Sequence, residues 1–231
     1  MTGPPLLSRV RLKRNTSIAT LTSLLLDNHR GGGSMQAGHH LIWSLFANDR
    51  DQARDFLWRE TTKGAFMVLS ARRPEDSHSL FEIDTKPFDP VLAPGDRLRF
   101  SLRANPVVRK RRSPNDRYAV KHDIVMNALS LHPKGGRAES RQAEICSHGF
   151  AWLERQAAMH GFSVEKDHVE IDGYMRHCMA RKNGNQPMTF STLEYEGVLK
   201  VTDSAAFLSQ ISKGFGSAKA YGCGLMLIRK I

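Results

Sequence analysis

The sequence predicts an α+β protein built from two modules in tandem, and three features of the residue pattern point to it. Residues 97–103 (RLRFSLR) alternate strictly, with Leu98, Phe100 and Leu102 on one side and Arg97, Arg99, Ser101 and Arg103 on the other, as a strand with one buried and one basic face requires. Residues 36–46 and 203–213 instead place apolar side chains one helical turn apart. Each half of the chain then runs approximately through strand, helix and hairpin, with helices covering one sheet face and leaving the other free. A length of 231 residues suits two modules of roughly 100 residues each.

Taken in order, residues 6–13 (LLSRVRLK) form a first strand that buries Leu7, Val10 and Leu12. Residues 17–26 can form a short helix, and the glycine run of residues 29–34 (HRGGGS) is a loop. A helix over 36–46 follows, its stripe made by the pairs Leu41/Leu45 and Ile42/Phe46. Residues 55–58 (DFLW) and 65–71 (AFMVLSA) read as two strands of a hairpin. The stretch 106–115 carries an RKRR run between Pro106 and Pro114, which predicts an exposed loop and a module boundary, giving modules 1–105 and 106–231. Beyond it come an amphipathic helix over 148–160, strand-like pieces around Val164 and over 169–180 and 188–201, and a basic hairpin tip at 181–185. A helix over 203–213 ends at Gly214, which is free to adopt positive φ, and residues 224–228 close as a short buried strand.

A formal net charge of +11 and a pI near 9.9 favour polyanionic partners, through phosphate neutralisation and counterion release. No apolar stretch approaches the roughly 20 residues that span a bilayer, and Met1 to Pro5 do not open a signal peptide, so the expectation is a cytoplasmic protein with no membrane partner. Cys146, Cys178 and Cys223 are odd in number and far apart, which fits reduced thiols better than disulfides or a zinc site. Among the ten histidines there is no H-E-x-x-H, and no metal or cofactor is expected.

Three groups of residues carry possible chemistry. The nine Lys or Arg residues from Arg97 to Lys121, against one acid, suit contacts along a nucleic-acid backbone; Arg97, Arg99, Arg103, Arg109, Lys110, Arg111, Arg112 and Lys121 are the candidates, with Arg176, Arg181 and Lys182 further on. The turn over 214–224 contains Gly214, Gly216, Gly222 and Gly224 around Lys219, and two readings stay open: a backbone cradle for phosphate, or a tight helix-to-strand turn. His39 and His40 open the helix that continues through Trp43, and an imidazole near neutral pH is suited to taking the proton of an RNA 2′-hydroxyl. Taken alone, a histidine at a helix start is more often a cap or a surface residue.

Read together, several motifs resemble the CasE endoribonuclease family of type I-E CRISPR systems. They are the first strand, His39-x-x-x-Trp43-Ser44-Leu45-Phe46, Asp55-Phe56-Leu57-Trp58, Lys86-Pro87-Phe88, residues 94–106 (PGDRLRFSLRANP), Ala151-Trp152-Leu153, Tyr195-Glu196-Gly197 and the closing G-x-G-x-x-K-A-x-G-x-G-L. The resemblance implies two tandem ferredoxin-like (RRM-like) modules and a substrate that is the hairpin of a CRISPR repeat transcript, cut on the 3′ side of its stem. It implies a protein that is a monomer when free, keeps its crRNA product and joins the other subunits of Cascade. His39 falls on the family's catalytic histidine, with His40 as the neighbour to set aside. The tyrosine and lysine that some relatives carry around it are replaced by Gln36 and Ser44. Another cation must then meet the charge on the phosphate, Lys219 or an arginine of the basic strand. The alternative is a subunit that holds the repeat hairpin without cutting it.

Overall fold

A computed structural model describes residues 3–13, 34–46, 54–111, 113, 117–179 and 187–231, with residues 34–36 as backbone alone. The first strand, β1 (Leu6–Leu12), leads into helix α1 (Ser34–Ser44), then β2 (Phe56–Thr62), β3 (Ala65–Ser70) and β4 (Phe81–Pro87). These strands hydrogen bond in the order β2-β3-β1-β4, antiparallel throughout. Alternation along the strands explains the layering. Val10, Phe56, Trp58, Phe66 and Val68 face α1 and form one core with Leu41, Ile42, Leu45 and Phe46.

The second sheet takes β5 (Arg97–Ala104), β8 (Phe162–Met179), β9 (Met188–Val201) and β10 (Met226–Lys230) in the order β10-β5-β9-β8, again antiparallel. Numbered within their own modules, the strands of both sheets follow one order read from opposite edges, the ferredoxin-like arrangement. Helices α2 (Ile124–Leu129), α3 (Arg137–Met159) and α4 (Ser204–Lys213) supply the apolar cover, with Trp152 of α3 lying 5.6 Å from the Tyr195 ring of β9. Asp123 and Asp203 cap α2 and α4 through side-chain acceptance from Met126 N and Ala206 N.

Several expectations change. Strand β5 belongs to the second sheet, so the change of sheet falls between Pro87 and Arg97 and not after Asn105. Residues 106–115 are not simply a loop: β6 (Val107–Lys110) pairs with β7 (Val120–Asp123) as a ribbon, because Val107 and Val108 find partners in a segment too polar to announce itself. Helix α3 begins at Arg137, well before residue 148, since its first half is exposed and carries no apolar stripe beyond Ile145. Strand β4 and helix α2 went unread. The helix expected at 17–26, the loop expected at 29–34 except for Ser34, which instead begins α1, and the hairpin tip at 181–185 lie outside the described residues.

The far face of the first sheet is also not free. Leu57 and Leu69 turn away from α1 and pack into the second core. Beside them Arg59 of β2, almost buried, donates to Ser101 Oγ of β5 at 2.8 Å and to Glu194 Oε2 of β9 at 3.0 Å. Glu194 also pairs with Arg103. One carboxylate thus holds two guanidinium groups at the junction of the modules.

Two packing predictions follow from this layering. Replacing Glu194 by Ala strands Arg59 without its counter-ion and is expected to cost about 3 kcal/mol in chemical denaturation, the low end of the range for a buried pair because Glu194 retains solvent contact. At Gly38, inside α1, an added Cβ would lie 2.8 Å from the buried Trp58 ring. Gly38→Ala should therefore lower thermal stability by roughly 1–3 kcal/mol through overpacking, although alanine is the better helix former.

Candidate active site at the module junction

Helix α1 begins at Ser34, so His39 lies near its middle and does not open it as the sequence suggested. The helix buries Leu41 and Ile42 beneath it, with Leu45 just past its end, and holds His39, half-buried, at its flank, where it meets the turn that links α4 to β10. That turn is shaped by closeness to the protein body. A Cβ at Gly222 would stand 3.0 Å from the Trp58 ring, and one at Gly224 would stand 2.7 Å from the Phe215 carbonyl; both residues have positive φ. Between them and the start of the turn lies a short 3-10 segment, Lys219–Tyr221, whose Ala220 carbonyl faces α1 and β2.

That carbonyl accepts from His39 Nδ1 at 2.8 Å and from Trp58 Nε1 at 3.0 Å. A carbonyl oxygen only accepts, so Nδ1 carries the proton and the neutral ring keeps its lone pair on Nε2. Around the imidazole stand the rings of His40, Trp43 and Tyr221, at centroid distances of 5.3, 5.5 and 5.2 Å. Burial lowers the His39 pKa, the bond to Ala220 works the other way, and the positive charge of Arg54 lowers it further. The ring is therefore held in its neutral, proton-accepting form.

The other expected residues are distributed unevenly. Lys219 sits in the same turn, one residue before Ala220, and its ammonium donates to the Lys213 carbonyl at the end of α4 at 2.6 Å. Burial lowers its pKa, with Arg54 and Lys121 adding to the effect. Lys121 of β7 reaches Ser217 Oγ at 3.1 Å and so draws the basic ribbon onto this turn. Arg97 and Arg99 are exposed on β5, as are Arg109, Lys110 and Arg111 on and after β6 and Arg176 on β8. Arg112, Arg181 and Lys182 lie outside the described residues.

The structure corrects the phosphate-cradle reading at two glycines and the basic-face reading of β5. The backbone N–H groups of Gly214 and Gly224 donate to the carbonyls of Gln210 and Arg103, so they are engaged within the protein. Gly216 is closed in by the Asn105 carbonyl and Gly222 by Trp58, as a tight turn requires. The polar face of β5 is shared with acids, because register places Glu194 beside Arg103 and Glu196 beside Ser101.

Three residues near His39 escaped sequence reasoning. Arg54 immediately precedes the Asp55-Phe56-Leu57-Trp58 motif, yet only the fold brings its charge to bear on both His39 and Lys219. Beyond Tyr221, Phe190 of β9 lies 5.5 Å away with its ring tilted by 29°, and His177 of β8 lies 5.1 Å beyond Phe190 at 30°. His177 and Phe190 are cross-strand partners in the β8–β9 hairpin, a pairing that the register of the two strands reveals.

Among the described residues no group of three or more His, Cys, Asp or Glu is arranged to hold a metal ion, and no helix is long and apolar enough to cross a membrane. The three cysteines are free thiols.

Comparison with known proteins places this arrangement. Residues 6–230 match the family described as CRISPR associated protein. The chain is 31% identical over 201 residues to the Cascade subunit CasE of Escherichia coli K12, covering 81% of this chain and 88% of that one. It is 30% identical over 152 residues to the CRISPR-associated endoribonuclease Cse3 of Thermus thermophilus, covering 62% of this chain and 60% of that one. In fold it is similar to Thermus thermophilus Cse3 bound to an RNA representing a pre-cleavage complex, with a TM-score of 0.64 at 24% identity over 98% of this chain and 99% of the other. Escherichia coli Cas6e gives 0.55 at 22% identity over 98% and 100%. A family match that runs from the first strand to the last, together with this degree of identity to CasE, shows that the chain belongs to the CasE family of CRISPR-associated proteins.

Proposed function

We propose that this protein is an endoribonuclease that cuts the hairpin of CRISPR repeat RNA with His39 as general base and without a metal ion or other cofactor. The observation that carries the reading is the bond from His39 Nδ1 to the Ala220 carbonyl, which fixes the tautomer and leaves Nε2 to accept a proton. The names of its relatives agree with it, one being a Cascade subunit and another an endoribonuclease. In the reaction, Nε2 takes the proton of a 2′-hydroxyl, and the oxygen forms a bond to the adjacent phosphorus. The bond from phosphorus to the 5′-oxygen then breaks, that oxygen takes a proton from solvent, and the imidazolium of His39 afterwards returns its proton to water. The products are a 2′,3′-cyclic phosphate and a 5′-hydroxyl.

Negative charge grows on the phosphate oxygens as the new bond forms, and a preplaced cation stabilises it. Arg54 and Lys219 are the candidates, because Lys219 stands in the turn beside Ala220 and the charge of Arg54 acts on both His39 and Lys219. The exposed basic residues Arg97, Arg99, Arg109, Lys110 and Arg111 hold the RNA backbone. After cleavage the protein keeps its crRNA and works in the cytoplasm within Cascade.

His39→Ala is expected to lower the single-turnover rate by roughly 100- to 10,000-fold with hairpin affinity nearly unchanged, in buffer containing EDTA. A wild-type protein that binds the hairpin and never cuts it would instead support the passive-holder reading. The pH profile gives an independent check. Because the His39 pKa lies below its ordinary value, the rate should rise with pH along an acid limb whose midpoint falls below the ordinary imidazole value of about 6.5. Arg54→Gln removes a like charge, lets the His39 pKa rise, and should move that limb to higher pH.

A further inference from the structure

We propose that Phe190, flanked by His177 and Tyr221, is a stacking subsite for an unpaired nucleobase next to the scissile phosphate. This deepens the nuclease reading and rests on it. The three rings form a continuous row: Tyr221 to Phe190 at 5.5 Å, Phe190 to His177 at 5.1 Å, with successive planes about 30° apart. Each of the three is partly exposed, so none is sealed in a core. The row begins at the general base itself, since the Tyr221 ring lies 5.2 Å from that of His39.

Strand alternation explains why the rings face outward. On β9, Ser191, Leu193 and Tyr195 point to the helices, while Phe190, Thr192 and Glu194 point the other way, toward the polar face of β5. His177 is held in place by a hydrogen bond of 3.0 Å between Nε2 and Thr192 Oγ1. A packing role alone would place these rings in the core, where the nearby Tyr195 and Leu193 are fully buried. Instead an apolar surface adjoins the turn that carries Lys219 and that Lys121 approaches, side by side with groups that favour phosphate.

The chemistry calls for such a surface. Attack by a 2′-oxygen needs that oxygen opposite the leaving 5′-oxygen, and continuous A-form stacking keeps it out of line. A base flanking the cut must leave the stack, and an aromatic ring that receives it offsets the lost stacking and fixes the sugar in position.

The test uses repeat RNA with a 2′-deoxy sugar upstream of the cut, so that binding is read without cleavage. 2-Aminopurine replaces in turn the nucleotide on either side of the scissile phosphate. Expected is quenched fluorescence at one of these positions with the wild-type protein, recovery of the signal with Phe190→Leu, and renewed quenching with Phe190→Trp or Phe190→Tyr, which also show that the fold is kept. Removing the base at that position should weaken binding by the wild type about 5- to 150-fold and by Phe190→Leu far less. Equal fluorescence in wild type and Phe190→Leu at both positions would overturn the subsite, and so would an equal loss from the abasic RNA in both proteins. Cleavage of unmodified RNA by wild type and His39→Ala is measured alongside; undiminished cutting by His39→Ala defeats the general-base reading and leaves the fluorescence result to be judged separately.

Discussion

The Ala220 carbonyl, accepting two ring N–H groups at once, is the contact on which the site depends. His39 and Trp58 approach it from a helix and a strand of the first module, 181 and 162 residues away along the chain. Each bond separately is modest, since it replaces a bond to water. Jointly they fix where α1, β2 and the glycine turn stand relative to one another, and they assign the imidazole its proton. Chemistry and module docking therefore share one atom.

Charge is organised around the same junction. The protein is strongly basic, but the guanidinium groups nearest the interior are neutralised: Arg59 and Arg103 both bind Glu194, which turns part of the basic strand into structural cement. What remains available lies outward on β5, along the β6–β7 ribbon, and at the turn where Lys121 and Lys219 come close. Such a division lets a high net charge attract a polyanion over long range without placing unpaired cations in the core.

Much of the fold was legible because binary alternation is a local property. β1, β5 and β9 and the helices around Leu41 and Phe207 show their period directly, while β2 and β3, buried on both faces, stand out as apolar runs. What stayed hidden depended on partners distant in sequence. The ribbon of β6 and β7 holds few apolar residues and is defined by pairing across a basic turn, and β5 carries no mark of which sheet it joins. His39 was picked out by a motif, while the carbonyl that orients it belongs to an alanine with no chemical signature of its own. Arg54 and Phe190 became visible only when the strands carrying them were laid beside the turn.

That the orienting acceptor is a main-chain oxygen has an evolutionary side. The bond asks nothing of the side chain at position 220 beyond room in a 3-10 turn, and the alanine that the closing motif places there meets that need. Systematic truncation of side chains would pass over it, the residue being alanine already. Such a contact is protected from ordinary point substitution, and changing it requires altering the path of the backbone itself.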